Sequence, residues 1–169
     1  MLDKAKKVTK EAHEGQERMF SGNPYFYHPF RVGKRLDRLE AEKNVVATGF
    51  LHDTVEDTSY ELTNIEEQFN SKVASLVLEL TNNGEVIESI GKTEYMKHNF
   101  VAMSDEALLV KLADREDNTS DLSNASDSFA SRYSKETKTV LDHLEKIKNI
   151  YGKHRRLVNS IRNNIQNVD

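Results

Sequence analysis

The chain has 169 residues, enough for one domain with a substantial core. It is 31% charged and 37% hydrophobic, as an ordinary globular protein is, and its net charge of -4 argues against broad nucleic-acid binding. With no cysteine there is neither a disulfide framework nor a thiolate metal site, so nitrogen and oxygen must hold any metal, which suits manganese, iron, zinc or magnesium.

Glycine and proline are scarce, at seven and two, which favours helices joined by short loops. Residues 3–16 predict a first, polar helix. Residues 17–27 mix turn formers with aromatics and predict a loop. His28 opens a second helix with Pro29 in its first turn and Val32, Leu36 and Leu39 as its apolar stripe. Residues 42–56 predict one strongly apolar helix (Val45, Val46, Ala47, Phe50, Leu51, Val55) at the centre of the fold. Thr63 reads as the N-cap of a short helix carrying Ile65 and Phe69. Residues 71–81 form another core helix, ended by Asn82-Asn83-Gly84. Residues 82–93 read as a mobile loop, and Lys92 and Lys97 beside it either reach phosphates or, at least as readily, belong to a solvated face. Helices follow over 94–103 and 105–118, then a loop over the Ser-, Asp- and Asn-rich 119–133. Two closing helices take 134–150 and 154–166, and Lys153, Arg155, Arg156 and Arg162 make the tail locally basic. Strand signals are poor and no linker or repeat divides the chain. The expected class is all-α, a single-domain helical bundle over residues 1–169. No apolar run has the length of a membrane span, and the segment Met1–Lys7 lacks the apolar stretch of a secretion signal. The expectation is a cytoplasmic protein with no membrane partner.

Four segments concentrate the chemistry: Tyr27-His28-Pro29, Phe50-Leu51-His52-Asp53, Val55-Glu56-Asp57-Thr58 and Leu112-Ala113-Asp114-Arg115. They set two imidazoles and several carboxylates into apolar helical sequence, where something must offset their desolvation. A divalent cation does so. His52 and Asp53 are adjacent and cannot share a helical face, but near a helix end both can lean toward one ion. Glu56 and Asp57 follow them four residues later, one turn along the same two faces. Three converging helices would bring His28, His52, Asp53 and Asp114 to one metal, with positions left for water and substrate. Glu56 and Asp57 would lie outside the ligands and handle the proton of the attacking water. Each segment alone is weak: a His-Pro or a His-Asp pair says little, and Glu56-Asp57 alone is a solvated helix end. The ordered conjunction carries the reading. Arg115 is the simplest ion-pair partner for Asp114. His98, His143 and His154 fall outside the pattern, and Tyr25 and Phe26 read as packing residues.

The order His, His-Asp, Asp resembles that of the HD-domain phosphohydrolase superfamily. The runs His13-Glu14-Gly15-Gln16-Glu17-Arg18, Ser21-Gly22-Asn23-Pro24-Tyr25-Phe26-Tyr27-His28-Pro29 and His52-Asp53-Thr54-Val55-Glu56-Asp57-Thr58 are similar to the RelA/SpoT-type hydrolase domain. Leu109-Val110-Lys111-Leu112-Ala113-Asp114-Arg115, with Asn118, continues the match, which covers about residues 5–122. The resemblance implies a small alarmone hydrolase in its hydrolase-only form, built as an HD-type bundle that the helices of 134–166 close. It also implies one divalent ion, typically manganese, on His28, His52, Asp53 and Asp114. Glu56 and Asp57 take the catalytic positions, Arg18 the guanine side and Asn118 a nucleotide contact. The implied reaction removes pyrophosphate from the 3′ position of guanosine tetra- or pentaphosphate (ppGpp or pppGpp). The chain departs from the family twice. Met19-Phe20 stands where a basic residue is usual, and the family's Ala-Asp-Arg-Leu-His-Asn becomes Ala113-Asp114-Arg115-Glu116-Asp117-Asn118. Two added negative charges beside the site are expected to disfavour a highly anionic ligand. This keeps open an HD-type nucleotide phosphatase acting on a less charged nucleotide. A non-catalytic nucleotide-binding regulatory module is the further alternative.

Overall fold

The apolar stripe of Val32, Leu36 and Leu39 meets the almost wholly apolar segment 45–51, and this contact organises the fold. In the computed structural model, which describes residues 1–166, the first segment lies on α2 (Tyr27–Arg38) and the second on α3 (Lys43–Leu51). Two glycines let these helices approach. A Cβ on Gly33 would lie 2.5 Å from the Phe50 ring, and one on Gly49 would overlap the Leu36 side chain and lie 3.2 Å from the Gly33 Cα. His28 meets His52, Phe30 meets Phe50 and Leu36 meets Gly49, so the helices run antiparallel. The start of α2 therefore meets the end of α3, and the His28 and His52 rings stand 5.2 Å apart.

The remaining helices enclose this pair. α1 (Leu2–Ala12) lies on α3, where Thr9 Oγ1 donates to the Phe50 carbonyl. α9 (Asp105–Ser120) is the central partner, packed against α2, α3, α6 (Ser71–Leu80) and α11 (Gly152–Gln166). α5 (Leu62–Gln68) supports α6, and α8 (Lys92–Ala102) packs on α10 (Asp127–Ile147). One core holds Leu36, Phe50, Leu76, Leu108, Leu112, Leu144 and Leu157, each at 2% exposure or less. Burying each such side chain fully is worth about 1.5–3 kcal/mol. Among the described residues there is no strand, only one isolated bridge between Glu17 and Pro24. No described helix is long and apolar enough to cross a membrane. The all-α expectation is borne out.

Several boundaries differ from expectation, each for a local reason. The helix expected over 42–56 is two: α3 stops at Leu51, the chain turns at His52 and Asp53, and α4 (Thr54–Asp57) follows. Glu61, not Thr63, is the N-cap of α5, and Asn64 Oδ1 accepts from its backbone N–H at 3.1 Å. The expected mobile loop at 82–93 contains α7 (Gly84–Ile90), because Asn83 Oδ1 accepts from the Val86 N–H. Gly91, at φ 83°, then separates α7 from α8. The expected loop at 119–133 shrinks to a 3-10 turn, Leu122–Asn124, and a cap at Ser126 whose Oγ accepts from the Phe129 N–H, so α10 begins at Asp127.

Candidate metal centre

The end of α3 shapes the first half of the site. A helix leaves its last carbonyls without intrahelical donors. His52 supplies one: its Nδ1 lies 3.0 Å from the Gly49 carbonyl, the geometry of an N–H donor. That bond fixes the ring and turns Nε2 inward, where the neutral ring would carry its lone pair. The ring is 2% exposed, and Nε2 is buried with no hydrogen-bond partner among the described residues. His28, in the first turn of α2, is held in the same way: its Nδ1 lies 2.6 Å from Asp117 Oδ2, which leaves Nε2 for the centre.

Asp114 enters from the middle of α9. Its Oδ1 is 3.3 Å from His28 Nε2 and 3.8 Å from His52 Nε2. Donor atoms of His28, His52 and Asp114 all lie within 4.8 Å of one another. Asp53 spans the same two imidazoles, with Oδ2 3.4 Å from His28 Nε2 and Oδ1 3.1 Å from His52 Nε2. Two buried imidazole nitrogens and two carboxylates, with one nitrogen unpartnered, fit a divalent cation with mixed nitrogen and oxygen ligands. Bound in this way, the ion would supply the offset that burial of these groups requires.

The charges respond to one another. Burial lowers the His52 imidazole pKa, but the carboxylates of Asp53 and Asp114 outweigh it and lift the ring to about 9. Burial likewise opposes a charged His28, yet Asp114, Asp117 and Asp53 hold it well above its ordinary value. Burial raises Asp53 and Asp114; the imidazoles outweigh it at Asp53, and Lys111 with both imidazoles does so at Asp114, leaving each well below the usual range. Arg115 is not the partner of Asp114. Lys111 is, with Nζ 3.2 Å from Oδ2, while Arg115 turns away to Thr137, Glu136 and the Tyr133 ring.

The outer carboxylates separate. Asp57 shares the Tyr25 hydroxyl with Asp53: Tyr25 Oη donates to Asp53 Oδ2 at 2.7 Å and lies 3.1 Å from Asp57 Oδ2. Burial and the neighbouring Asp53 raise the Asp57 pKa. Glu56 instead accepts from the backbone and side-chain nitrogens of Asn82, at 3.1 and 2.8 Å, just before α7. Tyr25, expected only to pack, is thus part of the site; a loop tyrosine carries no pattern that reveals its hydroxyl partners.

Beside the cluster opens a cavity of about 310 Å³. Tyr25, Asn118, Arg18 and Met19 line it together with Phe20, Phe129 and Tyr133, and the Phe20 ring meets the Phe129 ring edge-on at 4.8 Å. Arg18 donates to Asn118 Oδ1 at 3.0 Å, and Asn118 Nδ2 donates to Asp114 Oδ1 at 2.6 Å, which couples the cavity to the cluster. Phe129 and Tyr133 fall within the stretch expected to be a loop; the Ser126 cap followed by aromatics four residues apart was the available signal. Glu116 and Asp117 are not free negative charges. Glu116 forms a two-point pair with Arg35 at 2.7 and 2.8 Å, and Asp117 one with Arg31 at 2.6 and 2.9 Å. The expectation that they repel an anionic ligand fails because both are neutralised against α2. Lys97 pairs with Glu94 at 2.8 Å. His98, His143 and His154 lie outside the cluster, as expected.

Comparison with known proteins agrees with this architecture. A family model described as the HD domain matches residues 5–149. The chain is 34% identical over 165 residues to an Arabidopsis thaliana protein named putative GTP diphosphokinase RSH1, chloroplastic, covering 89% of this chain and 18% of that protein. It is 29% identical to the guanosine-3′,5′-bis(diphosphate) 3′-pyrophosphohydrolase of Aquifex aeolicus, over 98% of this chain and 23% of that one. The chain thus spans about a fifth of the length of these curated relatives. A solved structure of a metazoan orthologue of SpoT, described as hydrolysing ppGpp and acting in starvation responses, superposes with a TM-score of 0.84 at 25% identity, covering 98% of this chain and 94% of that one. The helical frame, the clustered histidines and aspartates and the family match agree: this chain belongs to the HD-domain family, and its relatives are of the RelA/SpoT type.

Proposed function

We propose that the protein is a metal-dependent pyrophosphohydrolase that removes the 3′ pyrophosphate of guanosine tetra- or pentaphosphate. The observation that carries this reading is the junction of two features. A buried cluster of His28, His52 and Asp114, with the half-buried Asp53 beside both imidazoles, is joined through Asn118 to a cavity sized for a nucleoside. The names of the pyrophosphohydrolase relative and of the metazoan structure support the substrate.

In this reading His28, His52, Asp53 and Asp114 hold one divalent ion, for which manganese is expected. When bound, the ion supplies Lewis acidity toward a phosphoryl oxygen and an activated water. Arg18 and Asn118 bind the nucleoside, with its base against Phe20, Phe129 and Tyr133. This places the 3′ phosphates at the cluster and fixes their orientation. Asp57, whose raised pKa and link to Asp53 through Tyr25 suit a base close to the reacting phosphate, takes the proton of the attacking water. Glu56, held by Asn82, acts with it at the mouth of the site. Pairing of Glu116 and Asp117 with Arg35 and Arg31 removes the electrostatic ground for preferring a less charged nucleotide.

Incubating the protein with Mn2+ and guanosine tetraphosphate tests the reading. Release of pyrophosphate is expected. Release of single phosphate points to a nucleotide phosphatase, and tight binding with no product at any metal concentration points to a regulatory module; either result overturns the proposal.

A further inference from the structure

Asp117 stands where the resembling family carries histidine, and it does more than avoid repulsion. Its carboxylate is 9% exposed and meets three groups at once. Oδ2 lies 2.6 Å from Nδ1 of the buried His28. Arg31 on α2 clamps both oxygens, and Arg18, on the wall of the cavity, lies 3.9 Å away. On the opposite edge of the same imidazole, Nε2 faces Asp114 at 3.3 Å and Asp53 at 3.4 Å. A neutral imidazole has one ring proton, and carboxylates stand at both of its nitrogens. If the proton sat on Nε2, it would point at Asp114 and Asp53 and block a metal ligand. Held on Nδ1, it leaves Nε2 free to donate its lone pair.

We infer that Asp117 is a positioning residue of the metal centre: it holds the His28 proton on Nδ1 and keeps Nε2 directed at the ion. Arg31 keeps the carboxylate in place, and so the His28 tautomer is set from α9. His52 reaches the same state through a backbone carbonyl, that of Gly49. The two imidazoles are thus matched, one fixed by the main chain and one by a side chain that this sequence supplies at its point of departure from the family. Carboxylates that orient a ligating histidine typically contribute 10–100-fold in metal affinity.

The inference rests on the metal centre described under Proposed function, and metal binding without substrate tests it. Metal-stripped protein is titrated with Mn2+ by calorimetry for the wild type, Asp117→Ala and Asp117→Asn. The expected result is a dissociation constant about 10–100-fold weaker for Asp117→Ala, with partial recovery in Asp117→Asn, whose amide oxygen still accepts from Nδ1–H. A constant within about threefold of wild type for Asp117→Ala overturns the inference and leaves the centre standing, while a wild type that binds no Mn2+ removes both. If Asp117→Ala does not fold, long-range proton–nitrogen spectra of the Zn2+-loaded wild type decide. His28 bound through Nε2, with a strongly hydrogen-bonded Nδ1–H, is expected; binding through Nδ1 overturns the inference.

Discussion

His52 Nε2 is a buried ring nitrogen whose other edge is committed to the Gly49 carbonyl, so what it faces decides its protonation. In the metal-free protein Asp53 and Asp114 favour its charged form and lift its pKa to about 9 from an ordinary 6.5. A group raised in this way contributes stability that is fully present below pH 6.5 and is lost as pH climbs through 9. The melting temperature of metal-stripped protein is therefore expected to fall across that window. An ion binds only the neutral ring, so apparent metal affinity should rise over the same range, by calorimetry at fixed ionic strength. A stripped protein whose melting temperature is flat from pH 6.5 to 9 would contradict these residue contacts. Glu56→Gln and Asp57→Asn are expected to retain stoichiometric metal and lose about 10²–10⁴-fold in turnover. Full activity in either would remove that residue from the mechanism. The donor residues were legible because imidazoles and carboxylates are conspicuous in apolar helices. Asp117 and Glu116 misled because a sequence lists charges without partners, and their arginines lie more than eighty residues away.

At the scale of elements, the closeness of α2 and α3 puts His28 beside His52, and Gly33 and Gly49 permit it. A methyl group on Gly33 would overlap the Phe50 ring and one on Gly49 the Leu36 side chain, so buried side chains or the helices themselves must shift. Overpacking costs about 1–3 kcal/mol, against up to about 1 kcal/mol of improved helix propensity. Gly33→Ala and Gly49→Ala are each expected to lower the melting temperature by roughly 2–8 °C and to weaken metal binding together with it. A stabilised variant with unchanged metal affinity would show that the approach is not what sets the site. The long amphipathic helices could be read from their periodicity. α7 and the start of α10 could not, because each depends on a single cap, Asn83 or Ser126, that resembles loop chemistry when no partner is visible. The break between α3 and α4 escaped for a related reason: apolar residues continue across it, and only the inward turn of His52 and Asp53 ends the helix.

Across the whole molecule, an ion held as proposed by α2, the α3–α4 turn and α9 would tie together segments that lie up to about half the sequence apart. Binding to the native state alone stabilises it by about 2.7 kcal/mol when the free metal is a hundredfold above its dissociation constant. Chelation is expected to lower the melting temperature by roughly 5–10 °C, and Asp53→Ala should abolish that response. A chelator effect that survives in Asp53→Ala would place the ion elsewhere. The all-α class and the convergence of three helices follow from patterning that the sequence displays openly. The cavity does not, since its walls come from the 17–25 segment, α9 and α10, and no local pattern joins them.

The most direct test is a crystal structure of the protein grown with Mn2+, with anomalous data collected at the manganese edge. One peak is expected between the three segments, within bonding distance of His28 Nε2, His52 Nε2, Asp53 and Asp114. A fully loaded crystal with no peak there, or with its peak on other residues, would contradict the account.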